Sequence, residues 1–326
     1  MIERQQISSV KLVEPVLAGK VAAIARLLTH AENGGEELHD ALAEIYRHTG
    51  KAMVVGVTGV PGSGKSTLLQ CLVKAIRNGD RTVAVVAVDP TSPFSGGAIL
   101  GDRIRMLSFA SDPGVFIRSM ATRGRLGGLA RTTLDAVDIL DAAGFDIVLI
   151  ETVGVGQDEI DVVRAVHTTV VVSAPGLGDD IQAIKAGVLE IADIHAVSKC
   201  DRPDANKTIA DLTNMLTMNA PYEQHPGWSL PVVATSAWEE QGIEELLSHI
   251  DNHFAFLESS GELAARRAKI AEWRLLQTTE DLLRGQFAKG RDDRLSTFTH
   301  QLVSRTTSPR VAANELIKTV FKEGQP

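Results

Sequence analysis

The chain has 326 residues, 44% of them hydrophobic and 23% charged, an ordinary globular composition that argues against a disordered or fibrous protein. Its 33 Lys and Arg against 41 Asp and Glu leave a net charge of -8, without the basic footprint nucleic acid requires; aromatics, at 4%, are too few for single-strand stacking platforms. The longest apolar runs fall far short of the roughly 20 residues of a membrane helix. Met1 to Lys11 shows no leader pattern, so the expectation is a cytoplasmic protein with neither nucleic acid nor membrane as partner. Cys71 and Cys200 are too few for a disulfide framework or a Cys-rich metal site.

Residues 10–48 read as two helices broken at Asn33-Gly34-Gly35. From Met53 to Ala237, β-branched runs alternate with amphipathic or Gly-punctuated stretches. The runs are Met53–Thr58, Thr82–Val88, Phe145–Glu151, Thr169–Ser173, Ile194–Ser198 and Val232–Thr235. Near-continuous Val and Ile, rather than alternation, fits strands buried on both faces of a parallel sheet. Between them Ser66–Asn78 repeats Leu68, Leu69, Leu72, Val73 and Ile76 on one face before Gly79 stops it. The fold class is α/β, a doubly wound and mainly parallel sheet. Residues 257–326 hold no strand-like run. There Glu262–Phe287 sets Ile270, Trp273, Leu276, Leu283 and Phe287 near one helix face, and Ser308-Pro309 supplies an N-cap and first helical residue. These helices either cover the sheet edge or extend as a dimerisation arm. Three segments follow: N-terminal helices over 1–50, an α/β domain over 51–256 and a helical region over 257–326.

Gly59-Val60-Pro61-Gly62-Ser63-Gly64-Lys65-Ser66 fits G-x-x-x-x-G-K-[ST], with a buried strand before it and an amphipathic helix after it. This is the P-loop pattern. Glycines let backbone N–H groups wrap phosphates at the positive end of the helix. Lys65 reaches β/γ-phosphates in such a loop and the Ser66 hydroxyl ligates Mg²⁺.

Ser198-Lys199-Cys200-Asp201 closes the fifth predicted strand and resembles the guanine-reading N-K-x-D box. An Asp carboxylate there accepts both the ring N–H and the exocyclic amine of guanine, which adenine cannot offer together. Ser198 stands where Asn is usual; its shorter hydroxyl can do only part of the amide's bracing. Thr235-Ser236-Ala237 fits the companion S-A loop. Three acids sit where Mg²⁺ needs oxygen ligands. Asp89 follows the second predicted strand, Asp102 lies in a Gly-rich loop and Glu151 ends the third. Glu151-Thr152-Val153-Gly154 has the shape of a D-x-x-G box, in which the glycine N–H senses the γ-phosphate and the loop after it switches.

Several long blocks together resemble the MeaB/ArgK-type GTPases, chaperones of adenosylcobalamin-dependent acyl-CoA mutases. They are Asp89–Met106, Phe116–Ala130, Glu151–Asp158 and Pro175–Gly187, similar to the family's switches and signatures. The resemblance implies a homodimeric G protein with a C-terminal helical dimerisation arm, which binds GTP or GDP with Mg²⁺, hydrolyses GTP slowly and gates cofactor loading onto, and protection of, the mutase. It places Gly59, Val60, Pro61, Gly62, Ser63, Gly64, Lys65, Ser66 and Thr67 on phosphate. Lys199, Asp201, Ser236, Ala237 and Trp238 would hold guanine, and Ser66, Asp89, Asp102 and Glu151 the metal. Asp179, Asp180 and Lys185 belong to its third switch and Gly154 to its second. Lys65 and Glu151 serve catalysis, with Gln157 a candidate for orienting water. Arg105, Arg118 and Arg123 are candidate sources of charge for the γ-phosphate. Three other classes share parts of the pattern: a nickel-type metallochaperone GTPase, which needs Cys/His ligands near the switches; a transport-linked ATPase or kinase; and a structural dimer with a vestigial site.

Overall fold

The computed structural model describes residues 8–34, 36–89, 107–109, 111–121, 131–152, 164–176, 191–218, 227–289 and 294–323. They fall in two compact units, Met1–Ile270 and Ala271–Pro326. The first is built on seven strands: β1 Met53–Thr58, β2 Val83–Asp89, β3 Val115–Ala121, β4 Ile147–Glu151, β5 Thr168–Ser173, β6 Ile194–Val197 and β7 Val232–Ala234. Their order is β3-β2-β4-β1-β5-β6-β7, every pairing parallel. Strand β1 lies in the middle, so the loops leaving β1, β4, β5 and β6 gather at one carboxyl edge, where doubly wound sheets take their ligands.

Six strands match the sequence reading within two residues at each end. Strand β3 does not; residues Val115–Ala121 carry Arg118 and Ser119 inside an otherwise apolar run, which hid the strand. Among the described strands it lies at the edge of the sheet, beside β2, and an edge can take polar side chains. The correction moves Glu151 from the end of the third strand to the end of the fourth.

Helix α1 (Val13–Leu17), α2 (Val21–Asn33) and α3 (Glu36–Tyr46) all contact α5 (Arg131–Ala142), so the N-terminal helices belong to the first unit. Gly34, at φ 76°, breaks α2 from α3 where the sequence placed the break. On one face of the sheet, α4 (Lys65–Asn78) and α7 (Ile243–Ser260) bury Leu68, Leu72, Ile76, Leu246 and Ile250 against Val55, Leu149, Val170 and Ile194. Leu212 of α6 (Ala205–Met218) packs on Val197. The Asp141 carboxylate fixes the approach to β1, accepting N–H groups from Gly50, Lys51 and Ala52 at 2.6, 3.1 and 3.0 Å.

Helix α8 (Glu262–Lys289) is rooted in the first unit. Its Arg266 grips the buried Asp193 carboxylate with two N–H bonds of 2.8 and 2.9 Å and donates a third to the His167 carbonyl. His253 Nε2 lies 3.3 Å from the same carboxylate. Burial alone would raise the Asp193 carboxyl; Arg266 and His253 override it and hold it below the ordinary range. In the second unit, α9 (Arg294–Val303) contacts α10 (Pro309–Glu323), and the Ser308 hydroxyl accepts the Val311 N–H at 3.4 Å, as an N-cap does.

Two buried imidazoles make stability depend on pH. His195 on β6 is fully buried with neither ring nitrogen hydrogen-bonded, and His167 is nearly as buried, its Nδ1 accepting the Val54 N–H at 3.1 Å. Desolvation pushes both from 6.5 to about 4, with Arg267 and Arg266 adding to it at His167. The unfolded chain therefore binds more protons between these values, and stability falls as pH drops from 6.5 towards 4, by at most about 3 kcal/mol per histidine. Asp193 adds its own loss below the ordinary aspartate range. Urea midpoints measured across this window should fall steadily, with a shallower slope in His195→Leu; a flat profile would contradict the assignment.

Candidate nucleotide site

The loop from Gly59 to Gly64 joins β1 to α4, and its shape depends on glycine. Gly59 has φ 137°, and a Cβ there would fall onto the Val172 carbonyl of β5. The loop therefore sits hard against the neighbouring strand. Inside it the Ser63 hydroxyl is fully buried without a hydrogen-bond partner.

Lys65 begins α4 and is buried, 6% exposed, its ammonium donating to the Gly59 carbonyl at 2.6 Å and the Val60 carbonyl at 3.0 Å. The next residue, Ser66, donates its hydroxyl to Glu151 Oε1 at 2.6 Å. Glu151 reaches it because β4 runs beside β1 in the register Val57↔Glu151, and Thr152 N–H then donates to the Val57 carbonyl at 3.2 Å. A buried link between the Thr152 and Thr58 hydroxyls, 2.9 Å, ties the two strand ends again. Thr67, by contrast, is exposed.

The second half of the site comes from β6 and β7. Ser198 is buried, and its single hydroxyl proton is shared between the Ser63 carbonyl and the Ser173 carbonyl, the latter at 3.1 Å. The serine thus ties the loop after β6 directly to the phosphate loop and to β5. Lys199, at φ 55°, sends its ammonium to the Gly62 carbonyl at 2.8 Å. Exposed Asp201 accepts the buried Ser236 hydroxyl at 2.7 Å. Ala237 and Trp238 follow on the same loop, Trp238 standing 90% exposed.

Chemically, the arrangement offers an anion a glycine-shaped backbone cradle, a lysine cation, and a hydroxyl–carboxylate pair of hard oxygens suited to a divalent cation. It offers a flat ligand one carboxylate, held in a fixed orientation. Asp89 closes β2 at the same edge. Asp102, Gly154, Gln157, Asp179, Asp180 and Lys185, with Arg105 and Arg123, lie outside the described residues. Arg118 is committed elsewhere: it forms an ion pair with Glu32 of α2 at 2.7 Å and bonds Thr29 at 3.2 Å, which argues against a role at the γ-phosphate. Sequence reasoning missed the residues of α4 that hold the base loop. Lys74 pairs with Glu240 at 2.6 Å, and Cys71 Sγ lies 3.7 Å from the Ala237 carbonyl. Neither has a local signal.

A family model described as "Methylmalonyl Co-A mutase-associated GTPase MeaB" matches residues 24–291. The chain belongs to the MeaB family. It is a GTPase with a guanine-nucleotide site on a P-loop NTPase fold. A Pyrococcus abyssi protein named as a GTPase is 44% identical over 315 residues, covering 96% of this chain and 97% of that one. The mouse protein named methylmalonic aciduria type A homolog, mitochondrial, is 37% identical over 239 residues, covering 71% of this chain and 57% of that one. The crystal structure of an LAO/AO transport system kinase superposes with a TM-score of 0.71 at 26% identity, covering 98% of this chain and 99% of that one. Among the described residues of this MeaB-family chain, no helix is long and apolar enough to cross a membrane, and no three His, Cys, Asp or Glu gather as a metal cluster. Burial raises both thiols, Cys71 and Cys200, and nearby carboxylates add to it, so neither is activated as a ligand.

Proposed function

We propose that this chain is a homodimeric cytoplasmic chaperone of an adenosylcobalamin-dependent acyl-CoA mutase, and that its GTP state gates cofactor loading onto the mutase and protection of it. The observation that carries the reading is the convergence, at one sheet edge, of the Lys65–Ser66–Glu151 cluster with an Asp201 oriented by Ser236. The family and its mutase-linked mouse relative support the partner class. The exposed Leu275, Leu276, Leu282, Val303 and Val311 of the second unit support dimerisation through the helices of 257–326.

In this reading Gly59 to Thr67 hold the phosphates. Lys65 leaves the Gly59 and Val60 carbonyls for the β/γ-phosphate oxygens, and the buried Ser63 hydroxyl finds its acceptor there. Ser66 and Glu151, with Asp89 and Asp102, would hold Mg²⁺; the short hydroxyl–carboxylate contact is the donor chemistry such an ion takes. Bound there, the ion would neutralise charge on the transferring phosphate. Gln157 orients the attacking water, Gly154 starts the second switch, and Asp179, Asp180 and Lys185 relay nucleotide state to the mutase. Arg118, the candidate arginine among the described residues, is paired with Glu32; turnover is slow alone and stimulated by the partner.

The test is titration of GTP, GDP and ATP with Mg²⁺, joined to hydrolysis assays with and without an acyl-CoA mutase. GTP selectivity with mutase-stimulated turnover is the expected result. ATP binding as tight as GTP would move the chain towards a phosphotransferase or ATPase.

A further inference from the structure

The largest uncovered apolar side chain among the described residues is the Trp238 indole, 90% exposed. An aromatic of this size normally buries about 150–250 Å². Its loop is anything but loose. Ser236 and Gln241 exchange backbone bonds of 3.0 and 2.9 Å, and the Ser236 hydroxyl accepts the Glu239 N–H at 3.3 Å. Lys74 of α4 holds Glu240, itself at φ 53°. Gly242 closes the loop at φ 73°, where any Cβ would strike the Ala234 carbonyl. A tip fastened at this many points, and ending in a bare indole, is prepared for something to cover it. Covering it costs little ordering entropy, because the backbone is already fixed.

What would cover it follows from its neighbours. Two residues away, the Ser236 hydroxyl sits on Asp201, the carboxylate placed to read a base edge; two Cα steps span at most about 7 Å. The rest of the box is occupied with bracing. The Ser198 proton goes to the Ser63 and Ser173 carbonyls, and the Lys199 ammonium goes to Gly62. The Ser198 proton is thus spent and the Lys199 ammonium is held at the phosphate loop, so edge reading rests on Asp201 and on backbone groups, and the base's flat face is left to another side chain. We infer that the Trp238 indole stacks on the purine face of the bound nucleotide, supplying affinity, while Asp201 supplies selectivity. The inference rests on the guanine reading of this site. Stacking is tolerant of which purine is present, because every base has a π-face. It therefore tightens all purine nucleotides together without changing their ranking.

The experiment uses the full chain as wild type, Trp238→Ala and Trp238→Phe, with GDP, ADP and inorganic pyrophosphate as probes. Trp238→Ala should weaken GDP by about ten-fold or more. Pyrophosphate binding should not change, and neither should the GDP-to-ADP ratio. Trp238→Phe should recover most of the affinity. GDP should also quench tryptophan emission in wild type and not in Trp238→Phe, where Trp228 and Trp273 remain. Unchanged GDP affinity in Trp238→Ala would overturn the proposal, and if a response to added mutase were lost with it, the indole would belong to a protein interface. Equal wild-type binding of ADP and GDP would overturn the guanine reading alone; loss of both on Trp238→Ala would still support stacking.

Discussion

A Lys65→Ala chain hydrolyses GTP about 10²–10³-fold more slowly than wild type, the usual effect of deleting one preorganised group that meets developing charge. The buried ammonium donates to two carbonyl oxygens of its own loop, at 2.6 and 3.0 Å. These are contacts a phosphate can replace. The substitution leaves the Ser66–Glu151 contact and the Ser198 brace in place, and alanine suits the first turn of α4. The melting temperature should therefore stay close to that of wild type. Single-turnover hydrolysis beside a thermal melt checks both halves, and unchanged turnover would remove Lys65 from the chemistry.

The second large effect is a change of base. In Asp201→Asn the amide oxygen can still accept the Ser236 hydroxyl, which now meets Asp201 at 2.7 Å, so the loop keeps its shape. The amide nitrogen, however, faces the ring N–H and exocyclic amine of guanine with donors of its own. Affinity for GDP should fall by about 10²-fold or more, and xanthosine diphosphate, with a carbonyl in place of the amine, should gain. Competition titration with the two diphosphates reads the switch. A variant that still prefers GDP would mean the base is read elsewhere.

The central strands and the phosphate loop were legible because their signals are local. Met53–Val57 is apolar throughout, since both faces of β1 are covered, and glycine is demanded by close backbone approach at Gly59 and by positive φ at Gly62 and Gly64. Strand β3 was not legible, because its polar residue Arg118 finds its partner in Glu32, in a helix far back in the chain. The same holds within the site. The Ser198 position reads from sequence as a weakened brace, yet its hydroxyl reaches the Ser63 carbonyl directly. A pattern cannot report this, since it depends on how closely Gly59 lets the loop lie against β5. The clamps from Lys74 and Cys71 to the base loop join residues that only the closed sheet brings together.

The strand order also governs how the chain must be born. Val55, at the centre of the sheet, pairs with Leu149 on one side and Thr168 on the other. At about 5–20 residues per second, a ribosome needs on the order of ten seconds after making Val55 to deliver both partners. Throughout that interval the future nucleotide loop hangs from a strand with two open edges and two greasy faces. Parallel pairing at such separation is slow and exposed to aggregation. The nascent protein is thus a natural client for chaperones until β5 arrives.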